Sequence, residues 1–115
     1  MRLPNYLTAT VDLRKLAGYA LNLNHPEGRH KARVFLSALG LAPSDSKWLA
    51  NKILVALADN EAHLVEESPW GTLYRVDLEI WNEKRCAIVR TGWLCTDHVT
   101  KLTTCFVVGE CDETA

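Results

Sequence analysis

The apolar residues of this chain follow a helical period up to about residue 60 and an alternating period after it, with one change of pattern and no return. Helices first and strands second point to an α+β fold, in which the helices pack on one face of an antiparallel β-meander of about four strands. Leu13, Leu16, Ala17, Ala20 and Leu21 share one stripe, so a helix is predicted over Asp12 to Asn22 with Asp12 as its N-cap. A second is predicted over Pro26 to Leu39. Proline fits a first helical position, Ala32, Phe35, Leu36 and Leu39 make the buried stripe, and Gly40 is the stop. A third, Ser44 to Ala58, takes Ser44 as its cap and turns Trp48, Leu49, Ile53, Ala56 and Leu57 inward.

Strands are predicted over Ala62 to Glu67, Thr72 to Trp81, Cys86 to Thr96 and Lys101 to Val108. With Asn82-Glu83-Lys84-Arg85 as a hairpin turn, Tyr74 meets Trp93, Val76 meets Thr91, Leu78 meets Val89 and Ile80 meets Ala87. That face is apolar. A matching register for the last strand adds Leu102, Thr104, Phe106 and Val108 to it. The opposite face mixes Arg75, Asp77, Glu79, Arg90, Lys101 and Thr103 with Leu73, Trp81, Ile88 and Leu94, and sets Asp77 directly across from Arg90.

A chain of 115 residues suits a single domain, 1–115, with the acidic residues 110–115 expected as a disordered tail. Thirteen Lys and Arg against fourteen Asp and Glu leave a charge of −1, so nothing global draws the protein to nucleic acid or to an anionic membrane. Any nucleic-acid contact must come from a local patch. No apolar run is long enough to span a bilayer and Met1-Arg2-Leu3-Pro4-Asn5 opens no signal peptide, so a soluble, cytoplasmic protein is expected. The four cysteines form no CxxC and the four histidines are scattered. Reduced thiols, no metal and no cofactor are therefore expected.

Chemistry concentrates in Asn24-His25-Pro26-Glu27-Gly28-Arg29-His30-Lys31-Ala32-Arg33, at the start of the second predicted helix. Free N–H groups, the helix dipole and the Arg and Lys side chains make this an anion site in outline. On this reading Gly28 lets a ligand approach the backbone, and the helix field keeps His25 neutral and able to accept a proton. The plain alternative is that His25 caps the helix, Glu27 and Lys31 form a surface pair, and the remaining cations are solvated.

Leu16, Tyr19-Ala20-Leu21-Asn22 and His25-Pro26-Glu27-Gly28-Arg29-His30-Lys31-Ala32-Arg33-Val34-Phe35, with Gly71, Tyr74, Trp93, Leu102 and Thr104, resemble the pattern of an uncharacterised bacterial and phage domain family carrying an H-P-x-G-R-x-K-A motif. Its members occur as small proteins and as C-terminal modules of phage head-morphogenesis and polymorphic-toxin proteins. In element order and context that family is similar to the barnase, EndoU, colicin and RelE ribonucleases. The resemblance implies a toxin-like, metal-free ribonuclease or a nucleic-acid or phosphate-binding protein. His25 would act as base, Lys31 as acid and Arg29 as fixed cation. Thr104 would hold phosphate, with Thr103 as its alternative, while Trp93 stacks a base and Arg75 adds charge. It also implies RNA or another phosphate-containing ligand, and a cognate antitoxin or immunity protein, as partners. Leu73, Phe106 and Thr100 depart from the family's Arg, Tyr and Pro. Those losses favour the alternative of a non-catalytic binding module, or a structural module of a larger virion-associated protein.

Overall fold

The computed structural model describes residues 1–111. A short helix α1 (Leu13–Lys15) runs into a π-helical turn, Leu16–Ala20, and is followed by α2 (Arg29–Leu39) and α3 (Ser46–Ala56). Four strands then form one antiparallel sheet in chain order: β1 (Ala62–Ser68), β2 (Gly71–Asn82), β3 (Arg85–Cys95) and β4 (Thr100–Glu110). No helix among the described residues is long and apolar enough to cross a membrane.

The first helix starts as predicted, with the Asp12 carboxylate accepting the Arg14 N–H at 2.9 Å. It then widens: the Leu21 N–H reaches back five residues to the Leu16 carbonyl at 2.8 Å, which is π rather than α geometry and ends the helix early. Helix α2 ends at Gly40, whose φ of 69° suits a residue without Cβ. Before α3 it is Asp45, not Ser44, that holds the turn, its carboxylate accepting the Ala42 N–H at 2.8 Å.

The β2–β3 hairpin has the predicted register throughout, down to Trp81 opposite Cys86, and closes through a two-residue loop in which Glu83 takes a φ of 56°. Leu78, Val76, Ile80, Val89, Ala87 and Trp93 share one core with Phe35 and Leu39 of α2 and Leu49 and Ile53 of α3. The alternate residues of these strands stay partly exposed, and their side is called the open face below.

In β4 the register departs from expectation. A bulge leaves Thr103 without a partner, so Leu102 faces Trp93 while Thr104 faces Gly92. One extra residue moves each following side chain to the other face, up to a second bulge at Val108. Cys105 is therefore buried, and Thr104, Phe106 and Val108, expected in the core, are not. The expectation for the chain's end also needs correction. Glu110 is the last residue of β4, paired with Ala87, and Cys111 forms a disulfide with Cys86. Residues 112–115 lie outside the described residues. Of the four thiols expected to be free, only Cys95 and Cys105 are, both buried. Spacing missed the pair because Cys86 and Cys111 meet only when β3 and β4 align.

Candidate functional site

At the start of α2 the polar groups satisfy one another. The Nδ1 atom of His25 accepts the Glu27 N–H at 3.1 Å and the Gly28 N–H at 3.0 Å, and the His25 carbonyl accepts the Arg29 N–H at 3.0 Å. Pro26 has no N–H to offer. The Glu27, Gly28 and Arg29 N–H groups are thus already occupied. With Nδ1 accepting, the ring proton of His25 sits on Nε2, so this imidazole presents a donor to solvent and no free base. Its ring packs edge-on against Tyr19 at 4.5 Å. Gly28 is buried, and a Cβ there would stand 2.7 Å from the Tyr19 carbonyl oxygen. Its missing side chain serves the approach of the π-helical turn rather than that of a ligand.

The open face is arranged differently. The strand registers place His63, Arg75, Gly92 and Thr104 in one row across β1, β2, β3 and β4. At roughly 4.8 Å per strand the row spans about 14 Å between its outer Cα atoms. Gly92 leaves a gap in it, into which the two bulge threonines lean. The position of a Cβ at Gly92 is 2.8 Å from Thr104 Cγ2 and 3.2 Å from Thr103 Oγ1. The next row holds Asp77, Arg90 and Phe106. Arg90 grips Asp77 with two hydrogen bonds, at 2.9 and 3.1 Å. This Arg90 contact, aided by the nearby charges of Arg75 and His63, holds the Asp77 carboxyl below the usual carboxylate range.

That pairing leaves Arg75 unspent. Its Nε is buried without a hydrogen bond, and among the described residues its side chain makes no ion pair. A buried donor without a partner costs about 1–3 kcal/mol, which an acceptor on a ligand would recover. Lys31 comes to the same face from α2, its ammonium 4.5 Å from the centre of the Phe106 ring. Lys101, exposed, lies in the row on the other side, opposite Leu94.

The predicted site residues therefore divide. Arg75 and Thr104 fall in one row of the open face, two strands apart, with Thr103 in the bulge next to Gly92 and Lys31 over Phe106 in the next row. His25, Gly28 and exposed Arg29 stay together at the start of α2, where the first two are structural. Trp93, expected to stack a base, is 0% exposed, and its indole N–H donates to Thr91 Oγ1 at 2.8 Å, which in turn donates to the Val76 carbonyl. No face of this ring is open to a ligand. His63 was missed by sequence reasoning, because only the pairing of β1 with β2 sets it beside Arg75.

A family model described as a domain of unknown function, DUF6883, matches residues 2–109. The chain belongs to that family. As expected from the sequence, the family is an uncharacterised one. The DUF6883 match takes in the whole row, the α2 start and Lys31, and stops two residues short of Cys111. No curated protein and no solved structure matches the chain.

Proposed function

We propose that this protein binds single-stranded RNA through its phosphates on the open face of the sheet, along the row from His63 to Thr104. The observation that carries this reading is Arg75 Nε, buried without a hydrogen bond, in a strand row that ends at exposed Thr104, with the carboxylate of the next row, Asp77, already paired with Arg90. Arginine with an unspent donor matches a phosphate in charge and in hydrogen-bond geometry. Before Leu41 the chain has six Lys and Arg against two Asp and Glu, and from Leu41 on it has seven against twelve. Lys31 reaches out of this basic half to the open face.

Metal-free strand cleavage is a second reading, favoured by one observation. His63 stands in the same row as Arg75, and among the described residues its imidazole makes no hydrogen bond, so it is placed to carry a proton as His25 is not. A toxin-like ribonuclease of this kind would act in the cytoplasm, restrained by an acidic antitoxin or immunity protein over the same row. This part of the proposal rests on the resemblance to the barnase, EndoU, colicin and RelE ribonucleases.

The test is fluorescence anisotropy with a labelled oligoribonucleotide at rising salt, followed by electrophoresis of the same samples. Affinity should fall with salt, at roughly 0.7 in log–log slope per phosphate contacted, and Arg75→Ala should lower it about tenfold or more. Binding without cleavage would keep the proposal and remove the ribonuclease reading. Absence of binding at low salt, or an affinity indifferent to Arg75→Ala, would refute the proposal itself.

A further inference from the structure

At the end of the sheet remote from Gly71, three ligand-type side chains meet that no sequence spacing connects. Glu79 and Cys86 are diagonal neighbours on the open face of β2 and β3, and Cys111 follows Glu110, the last residue of β4. One carboxylate oxygen and the two sulfurs lie within 4.8 Å of one another. We propose that, once the Cys86–Cys111 disulfide is reduced, these three residues form a site for a divalent cation of the zinc class.

A tetrahedral ion with bonds of about 2.3 Å to sulfur and 2.0 Å to oxygen spaces its ligand atoms at roughly 3.5–4 Å, within the 4.8 Å that bounds the three ligand atoms. The two sulfurs must part from their disulfide, and Cys111 has room to do so because it lies beyond the β4 ladder. The carboxylate is already oriented: the Trp81 indole N–H donates to Glu79 Oε1 at 2.6 Å, and the Cys86 sulfur lies 3.8 Å from the same oxygen. Such outer hydrogen bonds hold ligand carboxylates in place at metal sites. The donor set, two thiolates and one carboxylate, selects a borderline-soft ion over magnesium or calcium. Three protein ligands leave a fourth tetrahedral position for water. Cys95 and Cys105 offer no such site, since burial pushes both thiols up, Cys105 to about 12, away from the thiolate that a metal needs.

The steps balance without redox change at the metal. A phosphine breaks the S–S bond, leaves two thiols and ends as its oxide with oxygen taken from water. The cation then displaces the two thiol protons as two metal–sulfur bonds and one metal–oxygen bond form. The disulfide and the bound ion exclude each other.

The experiment titrates Co²⁺ into the full chain after phosphine reduction, without oxygen, and reads the absorption spectrum. Thiolate-to-cobalt charge transfer and the visible bands of tetrahedral Co²⁺ should appear, saturate at one ion per chain and vanish when Zn²⁺ is added. Cys86→Ser and Cys111→Ser, at half-buried positions that accept serine, should each abolish the bands. Glu79→Gln should weaken binding about tenfold or more, and Cys95→Ala should leave it intact. Circular dichroism of each variant separates loss of the site from loss of the fold. No bands in the reduced protein, or bands that survive in a folded Cys86→Ser or Cys111→Ser chain, overturn the site. Unchanged affinity in Glu79→Gln overturns the three-ligand assignment.

Discussion

The start of α2 and the row across the open face hold similar residue types and use them in opposite ways. At α2 the imidazole of His25, the backbone donors of Glu27 and Gly28 and the missing side chain of Gly28 serve the junction with the π-helical turn. In the row an imidazole and a guanidinium are paired across β1 and β2, Thr104 lies beyond Gly92, and the one charge pair nearby, Asp77 with Arg90, leaves Arg75 over. A cluster that is local in sequence tends to satisfy itself through local hydrogen bonds. A cluster assembled from four strands has no such obligation, and its unspent groups remain for a ligand.

The strongest way to break this comparison is Gly28→Ala. If Gly28 serves packing, the new Cβ meets backbone at 2.7 Å and stability should fall by about 1–3 kcal/mol in a denaturant melt, with RNA affinity unchanged once the protein is folded. A stable Gly28→Ala chain that has lost RNA would return the site to α2. His25→Ala should cost about 1 kcal/mol, the value of a helix cap, and should leave binding alone. Arg75→Met should show the reverse pattern. Removing a buried donor that has no partner leaves stability unchanged or raises it by up to about 1 kcal/mol, while affinity falls.

The smallest effect concerns Asp77. Its carboxyl titrates below the ordinary range in the folded chain, so its contribution is present above the unfolded value and is lost as pH falls through the folded one. Both side chains of the pair are about one-third exposed, which limits that contribution to under about 1 kcal/mol. Comparing denaturant midpoints of the wild type and Asp77→Asn at about pH 6 and about pH 2 should show a gap at the higher pH that closes at the lower.

Much of the fold was legible in the sequence because periodicity reports burial directly. The β2–β3 register followed from one turn and the apolar alternation of Tyr74 to Ile80 against Ala87 to Trp93. What stayed hidden depends on events without a local signature. The bulge at Thr103 follows no Gly or Pro, yet it decides that Cys105 is buried and that Thr104 is not. The π turn at Leu16–Ala20 keeps the same apolar stripe as an α-helix would. Of the site, Arg75, Thr104 and Lys31 were legible as residues but not as neighbours. His63 and the Cys86–Cys111 pair needed strand pairings that sequence spacing does not encode.

The most direct test of the central claim is a titration of the isotope-labelled protein with an oligoribonucleotide, followed by NMR of backbone amides and of arginine Nε–H groups. The largest shifts are expected at Arg75 Nε–H and at the amides of His63, Gly92, Thr103 and Thr104, with the amides of Glu27 and Gly28 unmoved. Shifts concentrated at Glu27, Gly28 and Arg29, with the Arg75 Nε–H unmoved, would contradict it.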